Sequence, residues 1–158
     1  MHSAPTMRRP VISPRGFTLL EMLITLVVAA ILLTVALPSF IDSVRKGRRS
    51  EAMTGLATVQ QAQERWRGNQ AAYTNELGED GLKVAGGLPA TYYTFNVPDS
   101  SASGYTATAV GKSGTSQADD AQCSTLSMKM DGGNLSYAGC GGGSCTLTYA
   151  ATHACWAK

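Results

Sequence analysis

The fold is decided by residues 15–21, which read Arg-Gly-Phe-Thr-Leu-Leu-Glu and lead directly into an apolar segment. The 20 residues from Met22 to Ile41 carry no charge. A helix rises about 1.5 Å per residue, so a helix over these residues is about 30 Å long, which is the thickness of the hydrocarbon core of a bilayer. The sequence therefore predicts one membrane-length helix that starts close to Phe17.

The residues before the helix and the acid at its start argue against two simpler interpretations. Three arginines and no acid precede Gly16, at positions 8, 9 and 15. A secretory signal peptide has an apolar core of about 7–15 residues followed by small residues at its cleavage site, and this segment is longer. An ordinary membrane anchor has no need for Glu21, because an ionisable side chain at the centre of a span costs about 2.5–3.5 kcal/mol and usually marks a functional position.

The basic leader, the Gly-Phe junction, the acid at the fifth position after that junction and the membrane-length helix together resemble a type IV prepilin with a class III leader. The resemblance implies that a prepilin peptidase cuts after Gly16 and methylates the new amino terminus at Phe17. It also implies that Glu21 pairs in the filament with the amino terminus of a neighbouring subunit, because a buried unpaired charge is strongly disfavoured. Pro38 stands where pilins commonly carry a helix-bending proline. Ala30 stands where many pilins carry a glycine that loosens the helix.

The same resemblance divides the chain into a leader at residues 1–16, a transmembrane or filament-core helix at residues 17–41 and a periplasmic pilin domain at residues 42–158. The start of the leader is Met1 or Met7. Basic and acidic residues nearly balance just after the span, so the positive-inside rule does not orient it by itself. Without the three leader arginines the chain has 10 basic and 11 acidic residues, a net charge of −1. Its bulk charge therefore does not indicate a nucleic-acid partner.

Residues 42–68 have the period of an amphipathic helix, and a loop is expected at residues 69–90. The apolar positions of that helix are Met53, Leu56, Val59, Ala62 and Trp66. From Thr91 the period changes to two, which is typical of strands. The predicted strands lie at residues 91–97, 105–110, 124–130 and 135–138, with a further short candidate at residues 146–149. We therefore predict an α+β fold, in which a long amino-terminal α-helix packs against a small antiparallel β-sheet (the pilin fold).

All four cysteines, Cys123, Cys140, Cys145 and Cys155, lie in the last 36 residues. An even number in an exported domain indicates disulfide bonds, and the sequence alone allows three pairings. The resemblance to pilins favours a bridge between Cys123 and Cys155, because the family joins a cysteine ahead of a strand to one near the end of the chain. We also favour a bridge between Cys140 and Cys145, which closes a short loop whose glycines supply the necessary freedom.

The sequence also allows two kinds of metal site. Zinc is one alternative, with candidate ligands Cys140, Cys145, His153 and Cys155. Calcium is the other, with candidate ligands at Glu79-Asp80 and Asp119-Asp120. Zinc is disfavoured because no Cys-x-x-Cys pair is present and an oxidising compartment favours bridges over thiolates. Calcium is disfavoured because paired acids in loops are more often solvated turns. We therefore expect no cofactor and no bound metal.

No catalytic motif is complete in this sequence. Gly111-Lys112-Ser113 lacks the earlier glycine of a phosphate-binding loop, since Thr106 occupies that position. His153 has no evident nucleophile as a partner. We therefore expect no enzymatic activity.

The resemblance as a whole implies a PilE-type pilin, and a minor one: a structural subunit of a type IV pilus with a role in adhesion, twitching motility or DNA uptake. Its partners are then other pilin subunits, the prepilin peptidase/methyltransferase, the inner-membrane assembly machinery and, before assembly, the membrane. The implied location is the inner membrane and then the extracellular pilus.

Two alternatives stay open at this point. One is a pseudopilin of a type II secretion system, against which the four cysteines count. The other is a DNA-receptor pilin, which needs an exposed basic stripe with aromatic residues. The best local cluster for DNA is Arg65 and Arg67 beside Trp66. A nucleic-acid partner is not favoured, because these arginines are expected to decorate the solvent face of the helix.

The prediction from the leader is that the mature protein begins at Phe17 with a methylated amine, because Gly16 is the small residue that the peptidase accepts. Mass spectrometry of membrane or fibre material should find this terminus. An intact leader, or a cut after Ser39, would contradict the prepilin interpretation.

Overall fold

The structure, a computed structural model, describes residues 16–142 and 145–157. Most of the leader, including both candidate start residues, lies outside the described residues, as do Gly143, Ser144 and Lys158. The chain forms two compact units that divide between Phe40 and Ile41. The second unit contains the whole of the hydrophobic core.

One helix, α1 (Leu19–Arg67), includes both the apolar segment and the amphipathic segment. Its start has a capping signature, because Thr18 precedes the first turn and Glu21 follows three residues later. The Thr18 hydroxyl accepts a hydrogen bond of 3.2 Å from the backbone N–H of Glu21. The hydroxyls of Thr25 and Thr34 donate to carbonyls of their own helix, at 2.8 Å and 2.7 Å, so neither adds an unpaired donor to the apolar segment.

The apolar part of α1 is exposed from Leu19 to Ile41, and the helix is long and apolar enough to cross a membrane. Pro38 lies inside the helix and has no N–H to donate to the carbonyl four residues earlier, at Thr34. The assigned helix nevertheless continues through Pro38 and through Gly47 and Gly55.

Four antiparallel strands form one sheet in the order β1-β2-β3-β4. They are β1 (Tyr93–Ser100), β2 (Gly104–Gly111), β3 (Thr125–Asp131) and β4 (Asn134–Cys140). Each overlaps a predicted strand, and the ends differ from the predicted ones by one to three residues; β1 and β3 begin later than predicted, by two residues and one residue. The turn between β3 and β4 requires its glycines, because Gly132 and Gly133 have φ of 55° and 85°. A long helix and an antiparallel sheet confirm the predicted α+β pilin fold.

The strand predicted at residues 146–149 is wrong. The backbone there forms no ladder, and only the next residue, Ala150, makes an isolated antiparallel bridge to Tyr137 on β4. The threonines and tyrosine of this segment have strand propensity, but four residues at the edge of the sheet make too few pairs to define a strand. Short 3-10 turns lie at Ala85–Gly87 and Ala154–Trp156.

The core lies between one face of α1 and the inner face of the sheet. The helix buries Ala52, Leu56, Val59 and Ala62, which recur at three- and four-residue steps. Opposite them the sheet buries Tyr93, Phe95, Val97, Tyr105, Ala107, Ala109, Leu126, Met128 and Met130. Gly55 belongs to this contact, because a Cβ at that position would overlap the Phe95 ring. This glycine therefore permits close packing of helix on sheet.

Polar side chains inside the domain tie the loops to α1. The Arg49 guanidinium donates two hydrogen bonds of 2.9 Å to the Asp120 carboxylate, and both side chains are buried. Asp120 also accepts from the backbone N–H of Cys123 at 3.1 Å. Gln117 donates to the Tyr93 hydroxyl at 2.8 Å; burial raises the pKa of that hydroxyl, and this hydrogen bond partly opposes the effect. Buried polar contacts thus hold the loop between β2 and β3 against the helix and the sheet.

A substitution at Asp120 tests how much the buried ion pair with Arg49 stabilises the domain. Asp120→Asn keeps the shape but removes the charge that balances Arg49, and breaking a buried pair in this way costs about 3–5 kcal/mol of unfolding free energy. Urea unfolding of the full chain in detergent, followed by near-ultraviolet circular dichroism, measures the loss. Asp119→Asn is the matched control, because Asp119 is exposed and should change stability by about 0.5 kcal/mol or less. Equal stability of the two variants would contradict the assignment.

Candidate functional site

The amino-terminal site consists of Gly16, Phe17 and Glu21, all exposed in the single chain. Glu21 lies in the first turn of α1, where the positive end of the helix dipole favours an acid. Its backbone N–H is capped by Thr18, but its carboxylate has no hydrogen-bond or ion-pair partner among the described residues. The first turn thus presents one unpaired carboxylate at the head of an apolar helix.

The carboxyl-terminal region is held by two disulfide bonds. One joins Cys123, just before β3, to Cys155, with the two Cα atoms 5.6 Å apart. The other joins Cys140, at the end of β4, to Cys145. The cysteines of the proposed zinc site are therefore bonded to sulfur and are not available as thiolate ligands. In the proposed calcium site, Asp120 is already bound by Arg49.

Most cations of the described pilin domain are occupied by partners within the chain. Three cations pair with carboxylates: Arg45 with Asp42, Arg49 with Asp120 and Lys129 with Asp131. Backbone carbonyls accept from Arg45 (Ser116), Arg67 (Gln70 and Ala102) and Lys112 (Ala90). Arg48 donates to the Ser116 hydroxyl and lies over the Tyr92 ring, and Arg67 lies over the Tyr73 ring. Within residues 42–142 and 145–157, the side chains of Lys46, Arg65 and Lys83 have no such partner.

Two of these three cations, Arg65 and Lys83, line one groove of about 310 Å³. We name it the basic groove; its lining comprises Ala62, Arg65, Trp66, Asn69, Gln70, Gly81, Leu82 and Lys83. The last turns of α1 supply one wall and the loop after α1 supplies the other. Lys83 stands in the left-handed backbone region, with φ of 56°, and its backbone N–H donates to the Gly78 carbonyl at 2.9 Å. A tight loop thus brings Lys83 beside Arg65.

The cluster that the sequence indicated is divided in the structure. Arg65 is exposed on the helix surface and lines the basic groove. Trp66 packs against the core, and its indole N–H donates to the Ala72 carbonyl at 3.1 Å. Arg67 bonds to two loop carbonyls, at 2.7 Å and 3.2 Å. Sequence reasoning missed the approach of Lys83 to Arg65, because no local pattern links a helix residue to a loop residue 18 positions later.

The comparison with known families decides the identity of the chain. Residues 38–127 match the family described as "Type IV minor pilin ComP, DNA uptake sequence receptor". The chain belongs to this family. Residues 13–37, which include Gly16, Phe17 and Glu21, match the prokaryotic N-terminal methylation motif. The protein is therefore a type IV minor pilin with a class III leader, and it is a structural subunit of a pilus.

A relative among characterised proteins agrees with this assignment. The minor pilin is 36% identical over 67 residues to the type IV major pilin protein PilA of Myxococcus xanthus (strain DK1622). That match covers 40% of this chain and 30% of the length of the relative. None of these matches names a type II secretion pseudopilin, so the pseudopilin alternative stays a prediction without support from them.

Proposed function

We propose that this minor pilin is a non-catalytic subunit that waits in the inner membrane as a single-span protein, with its carboxyl-terminal domain in the periplasm, and then assembles into a type IV pilus through α1. Its partners in this scheme are the prepilin peptidase/methyltransferase, the inner-membrane assembly machinery and other pilins. The observation that carries the proposal is the exposed apolar segment headed by the unpaired carboxylate of Glu21.

Physical chemistry explains why the same helix serves both states. A helix that is apolar all round must be covered by lipid or by protein. When the subunit leaves the membrane, the helices of neighbouring pilins replace the lipid. Glu21 then enters a less polar surrounding and needs a cation, and the methylated amine on Phe17 of a neighbour remains cationic and supplies one.

Two substitutions at Glu21 separate its charge from the rest of its side chain. Glu21→Gln removes the charge and keeps a polar side chain of the same shape, whereas Glu21→Ala removes both. Each keeps the backbone N–H that donates to the Thr18 hydroxyl. We expect both variants to insert in the membrane, since each removes a charge from an apolar segment. Both should enter sheared fibres at about a tenth of the wild-type level or less, measured by immunoblot of fibre and membrane fractions.

The conservative variant decides the mechanism. Normal assembly of Glu21→Gln together with failure of Glu21→Ala would show that a polar side chain at this position matters and that its charge does not. Normal assembly of both variants would overturn the ion-pair account for this subunit.

A second proposed function is DNA reception, which the family description names and the basic groove supports. Arg65 and Lys83 line one groove without internal partners, and Asn69 and Gln70 add amide groups beside them. Guanidinium and ammonium groups are the usual ligands of DNA phosphates, and two of them neutralise about two phosphates. Trp66 lines the groove, but it is partly buried against the core and its indole N–H is bound by the Ala72 carbonyl. The Tyr73 ring packs against Tyr105, with the ring centroids 5.0 Å apart. The groove therefore suits contacts to the DNA backbone better than stacking on bases.

The DNA proposal predicts a specific change in salt dependence. Arg65→Gln/Lys83→Gln should lower the affinity for a short DNA duplex about tenfold or more at low salt. It should also reduce the slope of log affinity against log salt by about 2, because about two counterion-releasing contacts are lost. Fluorescence anisotropy of the full chain in detergent, at several KCl concentrations, measures both quantities.

The matched control is Lys112→Gln/Lys129→Gln, which removes the same charge from two lysines that already have partners in the chain. Its affinity and slope should stay close to the wild-type values. An equal loss in both double variants would mean that net charge, and not the basic groove, governs binding.

A further inference from the structure

A second groove lies on the opposite flank of α1 from the basic groove. At 100° per residue, Met53, Ala57 and Gln60 fall within roughly 60° of one another on the helix surface. Arg65 lies roughly 120° from Met53 on the same projection. The buried stripe of the helix, which includes Leu56 and Val59, lies between these two flanks. The domain therefore presents two separate grooves, one on each side of the helix–sheet contact.

The second groove has a volume of about 440 Å³, and its lining contains no Asp, Glu, Lys or Arg side chain. We name it the neutral groove; its lining comprises Met53, Ala57, Gln60, Met128, Tyr137, Ala151, Thr152, His153, Trp156 and Ala157. The Tyr137 and Trp156 rings are in contact, with their centroids 4.6 Å apart and their planes tilted by 50°. The indole N–H donates to the Ala138 carbonyl at 2.9 Å. Thioethers and aromatic rings are the surfaces that apolar partners pack against.

The carboxyl-terminal wall of the neutral groove is held in place by covalent and hydrogen bonds. Cys155 is bonded to Cys123, and its backbone N–H donates to Nδ1 of His153 at 3.2 Å. Ala150 exchanges two backbone hydrogen bonds with Tyr137, at 2.8 Å and 2.9 Å. A wall fixed in this way needs no ordering when a partner binds, which lowers the entropic cost of association.

The neutral groove continues along α1 towards the apolar segment. A neighbouring groove of about 550 Å³ shares Met53 and Ala157 with it and extends to Gly47 and Lys46. Its buried cation, Arg49, is already balanced by Asp120. The flank of α1 from residue 46 to residue 60 is therefore an open channel beside the carboxyl-terminal segment. It carries one cation without a partner among the described residues, Lys46, at the end of the neighbouring groove that lies away from the neutral groove.

We propose that the neutral groove seats the apolar amino-terminal helix of a neighbouring pilin in the fibre. The proposal rests on the role of this chain as a pilus subunit. The groove and the helix match because both lack Asp, Glu, Lys and Arg. Residues 22–41 carry no charge and are exposed, so the same segment of a neighbouring pilin needs an apolar surface around it when it leaves the lipid. The neutral groove offers such a surface without an acidic, lysine or arginine side chain to desolvate. DNA is a poor occupant, because no cation lines the neutral groove.

Site-specific photo-cross-linking in fibres tests the contact directly. A benzophenone amino acid replaces Ala57, which lines the groove and is half-buried, and mass spectrometry identifies the cross-linked peptide. A peptide from the apolar helix of another pilin supports the proposal. A peptide from a carboxyl-terminal domain, cross-linked DNA, or no cross-link in assembled fibres overturns it. The same amino acid at Thr94, exposed on the outer face of the sheet, is the control and should not label that helix.

A charge placed in the neutral groove tests its role in assembly. Met53→Glu should reduce entry into fibres about tenfold, whereas Met53→Leu keeps an apolar side chain and should enter as the wild type does. Membrane levels, intact disulfides and DNA affinity should stay unchanged in both variants, since the basic groove is on the other flank. Normal fibre entry of Met53→Glu, with Glu21→Gln still excluded from fibres, would reject the neutral groove alone. Normal fibre entry of both would reject the assembly proposal beneath it.

Discussion

The rest of the structure depends on one constraint: the apolar half of α1 must never face water. Residues 22–41 carry no charge, and their polar hydroxyls at Thr25 and Thr34 are bonded back to the helix. Among the described residues, the side chains of this segment are exposed. It therefore requires an external apolar surrounding in each state, first lipid and then other helices. Glu21, in the first turn of the helix, costs least in lipid when it lies near the end of the span. In a protein interior its carboxylate stabilises assembly only when a cation pairs with it.

The second half of the same helix solves a different problem. Its buried stripe packs on a four-stranded sheet, and Gly55 lets the Phe95 ring approach the helix backbone. Loops that carry no regular structure are attached to this assembly by buried polar groups, above all by Asp120, which binds both Arg49 and the backbone N–H of Cys123. Gln63 does the same for the loop after α1, because its amide both donates to and accepts from the backbone of Thr74, at 2.5 Å and 3.2 Å. A small core thus orders long loops by satisfying their backbone groups internally.

The two grooves beside α1 differ in charge, and this difference separates two kinds of partner. Arg65 and Lys83 give one groove the chemistry of an anion site, whereas Met53, Met128 and Trp156 give the other the chemistry of an apolar contact. Since the buried stripe of the helix lies between them, a partner in one groove leaves the other free. In the two proposals, the contact with DNA and the contact with a neighbouring pilin therefore use separate sites, so the charge that one needs does not have to be desolvated in the other.

The sequence by itself determined the features that depend on local order along the chain. Helix length, the position of Glu21 after the Gly-Phe junction, the buried stripe of α1 and four strands all follow from periodicity and spacing, which neighbouring residues define. The strand predicted at residues 146–149 failed because strand propensity is local, whereas a ladder needs a partner strand along its length. Only the tertiary structure decided which cations of the described residues have partners, that Lys83 and Arg65 line one groove, and that Asp120 binds Arg49. These features bring together residues that are 18 to 71 positions apart in the chain. The physical reason is that such approaches are set by how the chain packs and by the need of each buried polar group for a hydrogen-bond partner. A local sequence pattern encodes neither.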